Sequence, residues 1–171
     1  MRNKIKSLPD AIKLRESARA AGRTVVFTNG CFDLLHAGHV DYLEAAAREG
    51  DLLIVGLNDD DSVRRIKGPE RPLTPAADRA AVLAGLGAVA AVVVFGEDDP
   101  GWLIAALVPD VLVKGADWAE GEIIGADTVK AAGGRVVRVP LTTGRSTSAL
   151  IRTVVEKYGG GKVPTLNRSS P

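Results

Sequence analysis

Five short apolar runs recur along the chain: residues 24–28, Leu52–Leu57, Val89–Phe95, Val111–Val113 and Val136–Val139. Runs this short, without polar alternation, suit strands covered on both faces. Helical patterns fill the intervals. Residues 8–21 carry Pro9 near their start and Gly22 after their end, as a helix does. In residues 36–49, Val40, Leu43 and Ala47 share one face while Asp41, Glu44 and Arg48 lie off it, and Gly50 reads as the closing C′ residue. Thr74 as N-cap and Pro75 in the first turn open a helix ending near Gly85 or Gly87. Asp99-Pro100 begins a short helix, residues 123–132 form another before Gly133-Gly134, and Ser146 caps a last one over 147–158. The stretch 58–72, dense in charge and ending Gly68-Pro69-Glu70-Arg71-Pro72, reads as a mobile loop. Strands alternating with helices predict an α/β fold: a single Rossmann-like, doubly wound, five-stranded parallel sheet with helices on both faces. Residues 1–158 form the one expected domain, and the Gly/Ser/Pro-rich residues 159–171 an expected disordered tail.

Composition narrows the function classes. The 171 residues are 46% hydrophobic and 25% charged, with a net charge of +1 and no long run of one sign. A broad nucleic-acid or membrane footprint is therefore not expected, and anion binding has to come from local placement of groups. The single cysteine, Cys31, excludes an internal disulfide framework and a cysteine-based metal cluster. No apolar stretch approaches the roughly 20 residues that span a bilayer. The basic N-terminus lacks a following apolar segment, so the expected compartment is the cytoplasm.

In a doubly wound sheet, ligands bind beyond the carboxyl ends of the strands. Three marked loops fall at that edge: 28–39, 114–118 and 141–148. The first contains both histidines of the chain, His36 and His39, after the Gly30 turn and at a helix start. Unpaired N–H groups and about half a positive charge make a helix N-terminus an anion site, and imidazoles in its first turn add donors of adjustable charge. A tight strand–helix turn with capping imidazoles would look similar. A metal site from this pair lacks a third ligand. In the last loop, Gly144-Arg145-Ser146-Thr147-Ser148 supplies hydroxyls and free N–H groups for phosphate, or simply a serine cap after a glycine turn. Lys114 ends a buried strand ahead of Asp117 and Trp118 and is either a ligand or a solvated residue. Arg64, Arg65 and Lys67 form either a solvated face or a triphosphate clamp, and Arg79 either a structural ion pair or a substrate contact. Cys31 reads as a small packing residue, because no base is spaced to activate it.

The pattern Gly30-x-Phe32-Asp33-x-x-His36-x-Gly38-His39, with Ser146-Thr147-Ser148 near the end, resembles the cytidylyltransferase-like nucleotidyltransferases. Within that superfamily, Phe27–Val40, Arg65-Ile66-Lys67-Gly68 and Leu112-Val113-Lys114-Gly115 resemble the D-glycero-β-D-manno-heptose 1-phosphate adenylyltransferases over roughly residues 8–158. These occur alone or as half of a bifunctional kinase–adenylyltransferase, and the expectation here is the stand-alone form. The resemblance implies that ATP and a heptose 1-phosphate give ADP-heptose and pyrophosphate, for lipopolysaccharide or other heptose-containing glycans. It implies catalytic roles for His36, His39 and Lys67. It also implies nucleotide contacts from Thr28, Asn29, Gly30, Phe32, Asp33, Gly38, Arg65, Lys114, Asp117, Arg145, Ser146, Thr147 and Ser148, no protein-held metal, and Mg²⁺ arriving with the triphosphate. A homodimer or higher homo-oligomer is the implied assembly. Similar enzymes that use CTP carry an arginine in a stretch Arg-Thr-Glu-Gly-x-Ser-Thr; Leu141 stands at that arginine's position, which favours ATP. The alternatives are a cytidylyltransferase acting on a small phosphate such as glycerol 3-phosphate, and a non-catalytic nucleotide sensor. The histidine pair with a basic 64–67 segment favours an enzyme, since a sensor has no transition state to stabilise.

Overall fold

A computed structural model describes residues 2–142 and 144–159. Apart from Gly159, the expected tail lies outside the described residues, as does Thr143 of the last loop. Five parallel strands form one sheet in the order β3-β2-β1-β4-β5: β1 Val25–Gly30, β2 Leu52–Asn58, β3 Ala91–Phe95, β4 Val111–Gly115 and β5 Arg135–Val139. β1 is central, with Phe27 paired to Ile54 on one side and Leu112 on the other. The doubly wound sheet is thus as expected, and the strand order reverses beside β1. That reversal opens a crevice at the strands' carboxyl ends.

Pleating sends alternate side chains of β1 into two cores. Val26 packs with Leu43, Ala46 and Leu83, under α2 (Ala37–Ala47) and α4 (Ala76–Gly85). Val25 and Phe27 pack with Ala18, Leu103, Ile104 and Val129, under α1 (Leu8–Ala20), α5 (Gly101–Leu107) and α6 (Ala126–Ala131). β1, β2 and β4 are buried on both faces, which is why they read as unbroken apolar runs, whereas the edge strand β5 is half-exposed and carries Arg135 and Arg138.

The helix α7 spans Thr147–Tyr158, and Ser146 accepts the Ala149 N–H at 3.1 Å, as its sequence predicts. Other expectations are corrected. The 58–72 stretch is not a loop throughout, because Asp60–Lys67 form the helix α3. Its charges are helix-end signals: the Asp59 carboxylate accepts the Ser62 N–H at 2.8 Å, Asp60 and Asp61 occupy the first turn, and Arg64, Arg65 and Lys67 the last. Ser62 and Val63 are fully buried and anchor it. Helix α4 is capped not by Thr74 but across the chain, with the Ala76 N–H donating to Asp60 at 2.8 Å and Pro75 as N-cap residue. Gly50 is not a left-handed helix terminator, since Arg48 is the C-cap of α2. A Cβ there would sit 2.7 Å from Val26 and 2.9 Å from the Thr24 carbonyl, so close approach is what demands glycine. The 123–132 helix shortens to α6 behind a 3-10 turn at Glu120–Glu122, because Gly125 takes φ 85°. Among the described residues no helix is long and apolar enough to cross a membrane.

Candidate active site

A cavity of about 570 Å³ occupies the crevice at the carboxyl ends of the strands. Its floor is the turn after β1. Phe32 takes φ 45° there, a left-handed conformation that costs a non-glycine residue about 1–3 kcal/mol and persists only where surroundings impose it. The buried Phe32 ring lies where a Cβ on Gly30 would come within 3.0 Å, and its centroid is 5.3 Å from that of His39. His36 is the N-cap residue of α2 and makes no side-chain cap, so its ring is free to stack on His39 at 3.9 Å and 20°. Gly38 holds the opposite wall close: a Cβ there would stand 3.0 Å from the Arg145 Cβ and 3.1 Å from His36 Nδ1. Two further contacts clasp that wall to the first loop. Thr147 donates to the Leu34 carbonyl at 3.4 Å, and Thr142 to Asp41 at 2.8 Å.

Among the described residues, the Nδ1 atoms of both histidines are buried without a hydrogen-bond partner. Burial, then the neighbouring His36, pushes His39 down to about 4; burial and then Arg145 lower His36. Both rings are neutral near pH 7, and an incoming phosphate anion would favour their charged forms. The depressed value also has a stability consequence. An unfolded histidine protonates near about 6.5, so between that pH and about 4 the unfolded chain binds a proton that folded His39 does not. Stability is fully present above that window and falls as pH drops through it. Thermal melts from about pH 7.5 to about pH 4.5 should show this loss, and His39→Gln, which cannot titrate there, should remove its own share.

On the β4–β5 side, Lys114 donates to Asn29 Oδ1 and lies 5.5 Å from the Trp118 ring centroid, a cation–π arrangement. Burial pushes Lys114 down to about 8. Asp117, Leu141, Arg145, Ser146, Thr147 and Ser148 line the same side, with the N-terminus of α7 behind the hydroxyls. On the β2–β3 side stand Lys67, Arg71, Asp98 and Asp99. Asp33 lines the floor, and its carboxylate is engaged by Arg71 Nε at 2.5 Å, the Leu73 N–H at 2.8 Å and the Thr74 N–H at 2.9 Å. Burial opposes its charge, but these backbone donors and the Arg71 guanidinium win, and its carboxyl is held below the usual range.

The cavity therefore brings together Asn29, Gly30, Phe32, Asp33, His36, Gly38, His39, Lys67, Lys114, Asp117, Arg145, Ser146, Thr147 and Ser148. Two expected ligands lie off its lining. Thr28 is fully buried, with its hydroxyl 2.7 Å from Tyr42 Oη. Arg65 bonds Asp98 at 2.6 Å and the Gly96 carbonyl at 2.6 Å. Arg79 resolves as structural, being fully buried and donating from all three nitrogens to the carbonyls of Thr74, Cys31 and Asn58 and to Asp60. Sequence reasoning gave no site role to Arg71, Asp98 or Asp99, and reached Trp118 only as part of the 114–118 loop. The turn after β3 ends at the same sheet edge as the other loops, so topology alone pointed to residues 96–100; nothing local marked Arg71.

Chemically this is an anion cradle. Four cations, two helix N-termini and two imidazoles line the cavity beside four aspartates, of which Asp33 and Asp98 are paired with Arg71 and Arg65, and its one thiol, Cys31, is pushed up by burial and so kept from becoming thiolate. Among the described residues no three His, Cys, Asp or Glu side chains gather as a metal site.

In sequence and fold the chain is similar to several known proteins. Residues 27–147 match the sequence model of the cytidylyltransferase-like family. The Bifunctional protein HldE of Syntrophotalea carbinolica is 52% identical over 157 residues, covering 88% of this chain and 32% of that protein. Its counterpart from Halorhodospira halophila is 56% identical over 146 residues, covering 85% of this chain and 31% of that protein. The chain thus spans about a third of the length of the curated relatives it matches. The lipopolysaccharide core biosynthesis protein from Thermoplasma volcanium superposes with a TM-score of 0.59 at 28% identity, over 71% of this chain and 98% of that one. Pantoate-β-alanine ligase from Francisella tularensis shares the fold, with a TM-score of 0.57 at 15% identity over 84% of this chain and 68% of that one.

Proposed function

Because this chain belongs to the cytidylyltransferase-like family, it is a nucleotidyltransferase, and we propose that it transfers AMP from ATP to D-glycero-β-D-manno-heptose 1-phosphate. The products are ADP-heptose and pyrophosphate, serving lipopolysaccharide or another heptose-containing glycan. The observation that carries this reading is the stacked histidine pair in the first turn of α2, its Nδ1 atoms unpartnered among the described residues, in a cavity that the start of α7 also lines and with cations on both sides. Support for the sugar is the resemblance of residues 27–40, 65–68 and 112–115 to the heptose branch. The solved neighbour named for lipopolysaccharide core biosynthesis adds to it.

The reaction needs no protein nucleophile. An ionised oxygen of the sugar phosphate attacks the α-phosphorus of MgATP, and the bond from that phosphorus to the bridging oxygen of the leaving pyrophosphate breaks with its electron pair. The protein's task is alignment and charge stabilisation. His36 and His39 donate to α-phosphate oxygens as charge gathers there. Ser146 to Ser148 and the α7 N-terminus hold the β- and γ-phosphates, Arg145 stands beside them, and Lys114, Asp117 and Trp118 face the nucleoside. Lys67 reaches the phosphates from the end of α3.

Base choice follows from Leu141. It lines the nucleotide side at the position where CTP-using relatives carry arginine, and a leucine cannot donate to the cytosine carbonyl. An acceptor left unpaired on burial costs about 1–3 kcal/mol. ATP should therefore exceed CTP by about tenfold or more in kcat/KM, since 1.4 kcal/mol is a factor of ten. The test measures pyrophosphate release with each nucleoside triphosphate paired with a panel of sugar 1-phosphates and glycerol 3-phosphate. Preference for CTP with glycerol 3-phosphate would move the protein to the cytidylyltransferase branch; nucleotide binding without turnover would make it a sensor.

A further inference from the structure

The stretch after β2 carries five cations, and their partners separate them. Arg64 is paired with Asp61, Arg65 with Asp98 and the Gly96 carbonyl, and Arg79 is bonded inside the core. Lys67 is exposed at the cavity. Arg71 is different again. Its side chain is 18% exposed and lines the cavity, and only its inner edge is committed, Nε donating to Asp33. Among the described residues, neither terminal nitrogen of Arg71 has an acceptor. A half-buried guanidinium held at Nε, with its terminal N–H groups free, matches two oxygens of a phosphate. Asp33 is an unusually firm holder. Its side chain is 1% exposed, and the Leu73 and Thr74 N–H groups fix it from the segment that carries Arg71.

Position says which phosphate. The serine loop, Arg145 and Lys114 approach from β4 and β5, whereas Lys67 and Arg71 approach from the far side of β1, after β2. In-line transfer requires the attacking and leaving oxygens to stand on opposite sides of the reacting phosphorus. We propose that Arg71 grips the phosphate of the acceptor, the second substrate, and that Asp33 is a positioning residue which sets the guanidinium fork and the 71–74 segment around it. This rests on the reading above that a phosphate-bearing acceptor is joined to the nucleotide. It gives Asp33, expected from sequence to touch the nucleotide, an indirect role on the other substrate.

Steady-state kinetics with the best acceptor of the panel test it. Arg71→Ala should raise the acceptor KM about tenfold or more and the ATP KM less than about threefold. Arg71→Lys keeps the charge but not the fork and should recover only part of the loss. Asp33→Asn keeps an oxygen for the Leu73 and Thr74 N–H groups; it should raise the acceptor KM several-fold, and added to Arg71→Ala it should do little more. Equal effects of Arg71→Ala on both KM values, or an unchanged acceptor KM, would overturn the proposal. So would full additivity of the two substitutions. If the best acceptor is another phosphate rather than the heptose, the sugar assignment falls while the role of Arg71 is still judged on that acceptor.

Discussion

His39→Ala is expected to lower kcat by about 10²–10³ while changing the ATP KM by less than about threefold, and His36→Ala to do nearly the same. The asymmetry between kcat and KM follows from the state of the free site. Burial disfavours charge on both rings, so the full strength of their interaction is reached only when the charge beside them is greatest. Their interaction strengthens as charge accumulates on the α-phosphate, and only an interaction that strengthens in the transition state raises kcat. The rings stack at 3.9 Å, so the double substitution should cost less than the product of the single effects. Single-turnover measurements at saturating ATP and acceptor, with circular dichroism to verify folding, give the answer. Near-normal turnover in either variant would remove that histidine from the catalytic set.

Arg79→Met is expected to lower unfolding free energy by about 3–5 kcal/mol, because three backbone carbonyls inside the fold lose their donor at about 1–3 kcal/mol each. Arg79 has no exposed side-chain surface. Its guanidinium joins four places: the Thr74 carbonyl at 2.8 Å before α4, the Cys31 carbonyl at 2.5 Å after β1, the Asn58 carbonyl at 2.8 Å at the end of β2, and Asp60 at 2.7 Å in the first turn of α3. Methionine fills similar volume and satisfies none of them. For a chain of this size the loss corresponds to a fall in Tm of roughly 6–20 °C. Urea unfolding at constant m-value measures it. A loss below about 1 kcal/mol would mean that water replaces the guanidinium, and that the turn after β1 does not depend on it.

The comparison of α3 with α7 shows where reading the sequence succeeds. Ser146 caps its own helix through a contact three residues away, and so both the helix start and its hydroxyls were legible. The ends of α3 follow equally local rules, yet its charges crowd so closely that they resemble a solvated loop, and two buried residues, Ser62 and Val63, are all that mark its inner face. The histidine pair was legible for a similar reason: both rings lie in one turn, at the end of a strand whose apolar run is plain.

Residues that find partners far along the chain left no such trace. Arg65 and Lys67 looked equivalent, but on α3 one meets Asp98 while the other reaches the cavity. Arg71 drew no assignment from the sequence, and Arg79 only an open choice between an ion pair and a substrate contact. One bonds Asp33 across 38 positions and keeps its fork free; the other reaches the Cys31 carbonyl across 48 and is sealed in the core. The sequence by itself determined the alternation of strands and helices, the turn bearing His36 and His39, and the hydroxyl-rich start of α7, since capping, turn chemistry and apolar runs are set by neighbours. Only the tertiary structure decided which cations face the cavity and which brace its walls, because that depends on packing between segments that adjacent residues do not encode.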